Sequence, residues 1–268
     1  MANQSHLLCI KGGWEEGSQL SIDISEESGV RYLHFGSDWI QGAMRIARPW
    51  ALELDYTREM MTALLLRPES NWPKKVLQIG LGAASVTKFL YRHRPDCKIT
   101  VVEIDPSVVP MAYQFFKLPD DPKRIQIEIA DGADFVIANK GKYDLILVDG
   151  FDSRARAGRL DSLPFYLDCK SRLTRDGMLV VNLLSRSKKF KASVQRLGEA
   201  FEGRALAFPS CDSGNAIAFA TDGHAVELDL TELKEGARTL KAETGLNLLP
   251  TITRIEQTTY CASGVFEL

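Results

Sequence analysis

The sequence predicts an α/β protein: a doubly wound, mostly parallel sheet with a small β-region ahead of it. Three observations predict this. Residues 75–105 read as strand, glycine turn, helix, strand. Apolar runs then alternate with amphipathic segments over roughly 150 residues, as in βαβ units. Residues 1–50 instead break into short apolar runs punctuated by glycines.

In that first region, strands are predicted over 7–10, 19–24, 30–35 and 39–46. Gly12-Gly13, Gly17, Gly29 and Gly36 separate them, which favours hairpins over helices. Such hairpins are too short to stand alone and should pack on the main domain, 51–268. A helix is expected over 52–66, with Leu54, Met61, Leu64 and Leu65 on its buried face, closed off by Pro68 and Pro73.

Val76, Leu77 and Ile79 form a strand that stops at Gly80, and Gly82 follows. Residues 84–94 place Val86, Phe89 and Leu90 on one helical face. The next strand, 99–104, carries Glu103 near its end. A turn without Cβ atoms lets backbone N–H groups approach a ligand at the helix N-terminus. An acid about 20 residues beyond such a turn can hold a ribose diol. The unit therefore points to a nucleoside-containing ligand, against the plainer reading in which the glycines only shape the turn.

Further on, helices are predicted over 108–116, 133–139, 163–173, 190–201 and 231–243. Strands are predicted over 125–129, 143–148, 178–181, 205–208 and 216–220. The strand 143–148 is almost continuously apolar, as suits a parallel strand covered on both faces. In open α/β sheets ligands bind beyond the carboxyl ends of the strands. Those ends supply Gly80, Glu103, Asp131, Asp149 and Asn182, three of them carboxylates. Asp is also common where a strand gives way to a loop, the rival explanation for Asp149 and Asp152.

Composition narrows the classes. The chain has 268 residues, 45% hydrophobic and 25% charged, enough to bury a proper core. A net charge of -2 gives no basic stripe for nucleic acid. The five cysteines are scattered and form no CxxC pair, and the four histidines show no metal-ligand spacing, so no metal is expected. The sequence shows no basic stretch followed by an apolar core and no apolar run of about 18 residues. The expectation is a cytoplasmic protein without a membrane partner.

These residues resemble the spermidine synthase (polyamine aminopropyltransferase) family, on the class I methyltransferase fold. The resemblance is carried by Gln41, by 56–61 (Tyr-Thr-Arg-Glu-Met-Met), and by Val-Glu-Ile-Asp at 102–105. Ala-Asp-Gly-Ala at 130–133 and Tyr-Asp-Leu-Ile-Leu-Val-Asp-Gly-Phe-Asp at 143–152 extend it. A divergent spermidine synthase-like branch is the nearer match, through Asp149-Gly150-Phe151, Asn182-Leu183-Leu184 and Gly214-Asn215. The resemblance implies a β-region leaning over a seven-stranded sheet, with the site between them, and a homodimer. It implies that Glu103 binds the ribose hydroxyls and that Asp131 accepts from the adenine amino group, beside the backbone of Gly132 and Ala133. Asp149 would face the sulfonium and the attacking amine. Asp152 would sit on the covering loop, Gln41 would reach in from the β-region, and Gly80 and Gly82 would shape the donor turn. The co-substrate would be decarboxylated S-adenosylmethionine or S-adenosylmethionine itself, and the partner a small-molecule amine.

The chain also departs from the family pattern. The first turn, Gly80-Leu81-Gly82-Ala83-Ala84-Ser85, lacks the acid that helps hold a polyamine, and Thr57-Arg58 alters the family's Tyr-His-Glu. The loop after Asp152 carries Arg154, Arg156 and Arg159. At the mouth of a site these would repel a polyamine and attract a carboxylate; the plainer reading is a solvated loop. Aminopropyl transfer is the first expectation. Methyl transfer and a non-catalytic nucleoside-binding role are its rivals.

Overall fold

A computed structural model describes residues 7–8, 22–36, 39–152, 156–209, 214–261 and 264–268. The first sheet contains β1 (Leu7–Leu8), β2 (Ile22–Glu27), β3 (Val30–Phe35) and β4 (Ile40–Arg45), antiparallel and in that order. Glu27 pairs with Val30 across a two-residue turn at Ser28-Gly29. Both turn residues have positive φ, 52° and 76°, the tight hairpin geometry that matches strand twist.

The expected helix over 52–66 is two short ones, α1 (Asp55–Met60) and α2 (Ala63–Leu66). Between them Met61 and Thr62 donate to Arg58 and Glu59, three residues back, which tightens the backbone. Residues 59–66 are all buried.

The main sheet follows: β5 (Lys75–Ile79), α3 (Ser85–His93), β6 (Lys98–Glu103), α4 (Val108–Phe116), β7 (Ile125–Ile129), α5 (Gly132–Ala138) and β8 (Tyr143–Val148). Then come α6 (Leu163–Arg172), β9 (Leu173–Leu184), α7 (Phe190–Ala200), β10 (Ala205–Ala207) and β11 (Asn215–Thr221). The strand order is β10-β11-β9-β8-β5-β6-β7. Within it β11 runs against its neighbours, so the sheet is mostly, not wholly, parallel. The chain winds outward from β5 to β7, then returns to β8 on the other side of β5. Between β5 and β8 lies the switch point at which such sheets open a crevice.

Alternation along the strands feeds two cores. Val76, Leu145 and Leu147 face one, while Leu77, Ile79, Ile146 and Val148 face the other. A third cluster joins Ile24, Leu33 and Met44 of the first sheet to Ala83 and Phe116, clamping that sheet onto the glycine turn. Asp176-Gly177, between the helix expected to end at 173 and the strand expected from 178, lies inside β9. The pairing slips there, with Tyr143 opposite Leu173 but Leu145 opposite Met178. A C-terminal part not foreseen in the sequence comprises β12 (Glu227–Asp229), α9 (Leu249–Glu256) and β13 (Val265–Glu267), around the expected helix α8 (Leu230–Thr244). Its Phe266 packs edge-on against Phe208.

Lys88 of α3 is 1% exposed and donates to the Phe116 carbonyl at 2.6 Å. Burial lowers its pKa to about 7, from 10.5. Between those two values the unfolded chain holds a proton that the folded chain has released, so Lys88 costs stability as pH falls from about 10 to 7. Lys88→Met should raise stability by roughly 1–2 kcal/mol at pH 7, after the loss of the hydrogen bond to Phe116. The gain should fade toward pH 10. Urea midpoints of both proteins at several pH values check this.

Candidate active site

The carboxyl ends of β5, β6 and β8 are laced together before any side chain is considered. Gly80 N–H donates to Val102 at 2.8 Å, and Asp149 N–H to Ile79 at 2.9 Å. Gly80 has φ of 92°, and a Cβ there would sit 2.2 Å from the Asp149 carbonyl oxygen. No other residue fits that position. The backbone at Gly82 lies against Gln41, whose carbonyl oxygen would be 3.4 Å from an added Cβ.

Above these ends is a cavity of about 600 Å³. Gln41, Gly80, Gly82, Glu103, Asp131, Gly132, Asp149 and Asp152 all line it, with Trp39 and Ile40 from the first sheet. Ala133 does not. It is 4% exposed in the core beneath, and its amide is taken by Asp131. A second, larger cavity, about 800 Å³, lies between Trp50, Arg92 and Arg254, away from the strand ends.

Glu103, 7% exposed, accepts from Leu81 N–H at 2.9 Å and Asp105 N–H at 3.0 Å. Burial raises its pKa, and these backbone donors oppose the rise. Asp131 caps α5, accepting from Ala133 and Asp134 at 2.8 and 3.1 Å. Asp149 receives Asn182 Nδ2 at 2.9 Å and the Tyr56 hydroxyl. Burial lifts the Asp149 carboxyl above its ordinary value, and both donors pull it back. Burial and the Asp149 charge push the Tyr56 phenol well up, so it remains a donor.

The arginines do not stand loose at the mouth. Arg156 grips Asp152 through its backbone N–H at 2.9 Å and its guanidinium at 2.8 and 2.7 Å. Arg159 spans Asp131 at 3.4 Å and Asp134 at 2.7 Å. Arg154 lies outside the described residues. The strand-end rule had singled out Asn182 but given it no task. Tyr56 and Asp55 escaped that rule because they open a helix, although Tyr56 stood in the motif at 56–61. Among the described residues no group of His, Cys, Asp and Glu is placed to hold a metal ion. No helix among them is long and apolar enough to cross a membrane.

Fold and strand ends together define a protein of the class I methyltransferase fold, with carboxylates gathered at the switch point. Comparison with known proteins then narrows the class. The spermine/spermidine synthase domain profile matches residues 54–202. A polyamine aminopropyltransferase of Chromobacterium violaceum is 36% identical over 91% of this chain and 92% of its own. The chain belongs to the spermine/spermidine synthase family. Among solved structures, human methyltransferase-like protein 13 in complex with SAH is 26% identical, with a TM-score of 0.65 over 72% of this chain and 93% of that one. A spermidine synthase in complex with the transition-state analogue AdoDATO, 24% identical, shares the fold at a TM-score of 0.69 over 93% and 86%.

The hydrogen bonds around Asp149 make a direct expectation. Asn182→Leu and Tyr56→Phe should each raise the Asp149 carboxyl pKa further, since each removes a donor to its charged form. Carbon-13 NMR titration of the labelled carboxyl reads the direction.

Proposed function

We propose that this protein transfers an aminopropyl group from decarboxylated S-adenosylmethionine to an amine, with Asp149 receiving the proton. The observation that carries this reading is a carboxylate at the switch point, Asp149, held by two uncharged donors and lining the cavity. The curated relative named a polyamine aminopropyltransferase supports it. The amine lone pair forms the new N–C bond, and the C–S bond breaks with its electrons going to sulfur. The leaving group is thus a neutral thioether. A positioned carboxylate takes the proton released.

The other residues take their roles in the same reading. Glu103 holds the ribose hydroxyls, and Asp131 with the Gly132 backbone meets the adenine. Ala133 contributes through the turn it helps form. Gly80 and Gly82 give the donor close backbone approach, Gln41 closes the site from the first region, and Asp152 covers it. Division into a β-region at 1–50 and a main domain at 51–268, a homodimer, and a cytoplasmic setting with neither nucleic acid nor membrane complete the proposal.

Methyl transfer from intact S-adenosylmethionine is the second reading. It is favoured by likeness to the SAH-bound human protein. Calorimetric titration with decarboxylated donor, intact donor and thioether product, followed by turnover assays, separates the two.

Glu103→Ala and Asp131→Ala should each weaken thioadenosine binding by roughly 1–3 kcal/mol. Asp149→Asn should lower kcat about 10²–10⁴-fold while leaving thioadenosine affinity nearly unchanged. Because burial raises the Asp149 pKa, activity of the parent should fall on the acid side as that carboxylate protonates. Normal binding by both alanine variants would remove the nucleoside assignment. Full activity of Asp149→Asn would remove the base.

A further inference from the structure

We propose that Gln78 and Thr87 are positioning residues for the donor: together they fix the peptide between Gly80 and Leu81, and that peptide aims Glu103 at the ribose. This deepens the reading above and rests on its nucleoside part, in which Glu103 holds the ribose hydroxyls.

Gln78 sits on β5, on the same face as Val76 two residues earlier. That face feeds the core holding Val76, Val86, Phe89, Val101 and Leu147. Gln78 is nevertheless polar and only 4% exposed, and Thr87 of α3 is fully buried beside it. The Thr87 hydroxyl donates to Gln78 Oε1 at 2.8 Å, crossing from helix to strand. With its oxygen so occupied, the Gln78 amide turns its nitrogen toward the glycine turn. Gln78 Nε2 donates to the Gly80 carbonyl at 2.8 Å.

That carbonyl shares a rigid peptide plane with the Leu81 N–H, so holding one end orients the other. Leu81 N–H donates to Glu103 Oε2 at 2.9 Å, and Asp105 N–H donates to Oε1 at 3.0 Å. Each carboxylate oxygen therefore has one backbone anchor, and Gln78 governs the first of them. The anchor needs a hold of its own. Gly80 precedes the plane, and a residue without Cβ lets the adjoining peptide swing more freely than any other would. A swing would carry the Leu81 N–H off the carboxylate. It would also leave the buried Gln78 amide without its acceptor, which is costly.

Stability alone does not explain the pair. Replacing both partners of a buried hydrogen bond by apolar groups of the same shape is nearly neutral or favourable. Methionine and valine would suit the apolar neighbours of Gln78 and Thr87. What they could not do is donate to the Gly80 carbonyl. The line Thr87, Gln78, Gly80–Leu81 peptide, Glu103 runs from the core to the cavity wall.

The test is calorimetric titration of the parent, Gln78→Met/Thr87→Val and Thr87→Ser with thioadenosine and with its 2′-deoxy analogue. The parent should prefer thioadenosine by about tenfold or more, the worth of a charge-assisted hydrogen bond to the ribose. The paired variant should bind thioadenosine about tenfold more weakly and the deoxy analogue within about twofold of the parent, so that the preference nearly vanishes. Thr87→Ser keeps the hydroxyl and should keep the preference. In turnover, the paired variant should raise KM for the donor while kcat and KM for the amine stay within about twofold. If the paired variant does not fold, Thr87→Val alone should still narrow the preference by about threefold. Equal weakening of both ligands marks a merely structural pair and overturns the proposal. An unchanged preference in the variant, or its loss in Thr87→Ser, overturns it as well. A parent with no preference removes the ribose role of Glu103, and then the nucleoside reading falls first.

Discussion

The close contact between the ends of β5 and β8 is the constraint on which the site depends. At the switch point two parallel strands part company with the rest of the winding, and their backbones must still touch. Gly80 makes that contact possible by having no Cβ to strike the Asp149 carbonyl oxygen. Once Asp149 N–H is bound to Ile79, the Asp149 main chain is fixed. Its carboxylate then lies within reach of Asn182 on β9 and Tyr56 on α1. Three separate stretches of chain therefore set one carboxylate, and the first of them is a glycine.

Much of this was legible because strand ends obey a local rule. An apolar run that stops at Gly80, Glu103, Asp131 or Asp149 shows where the chain leaves the sheet, and in a doubly wound sheet those points converge. What the sequence concealed depended on long-range packing. Asp176-Gly177 looks like a stop between helix and strand, but β9 runs from Leu173 past it with a register shift against β8 between Leu173 and Met178. Residues 52–66 read as one helix, but the chain makes two short ones with a tighter turn at Met61 and Thr62. The Asp152–Arg156 pair was visible as a four-residue spacing. The partners of Arg159, at Asp131 and Asp134, lie 28 and 25 residues away and become neighbours only through the winding of the sheet.

The arginines gain a different meaning once paired. Counted along the chain, Arg156 and Arg159 look like an anion-attracting rim. In the fold they are tied to acids of the cavity wall and of α5. Arg156 pairs with Asp152, while Arg159 is shared between Asp131 and Asp134, so two guanidiniums meet three carboxylates there. Glu103 and Asp149 are held instead by uncharged donors, backbone amides for the first and Asn182 and Tyr56 for the second. Burial raises the pKa of both, and hydrogen bonds from neutral groups oppose that rise.

The small antiparallel sheet links specificity to folding. Ile24, Leu33 and Met44 bury themselves against Ala83 and Phe116, and that packing is the main apolar attachment of the sheet. It places Gln41 over Gly82, and Trp39 and Ile40 at the mouth of the cavity. It also seals the turn at Ala83. An acid at that position would have to be buried among apolar side chains without a partner, at a cost of several kcal/mol. Restoring an acidic turn would therefore require moving the first sheet, which would withdraw the residues that close the site. The alanine in the glycine turn and the seating of the β-region are one structural choice.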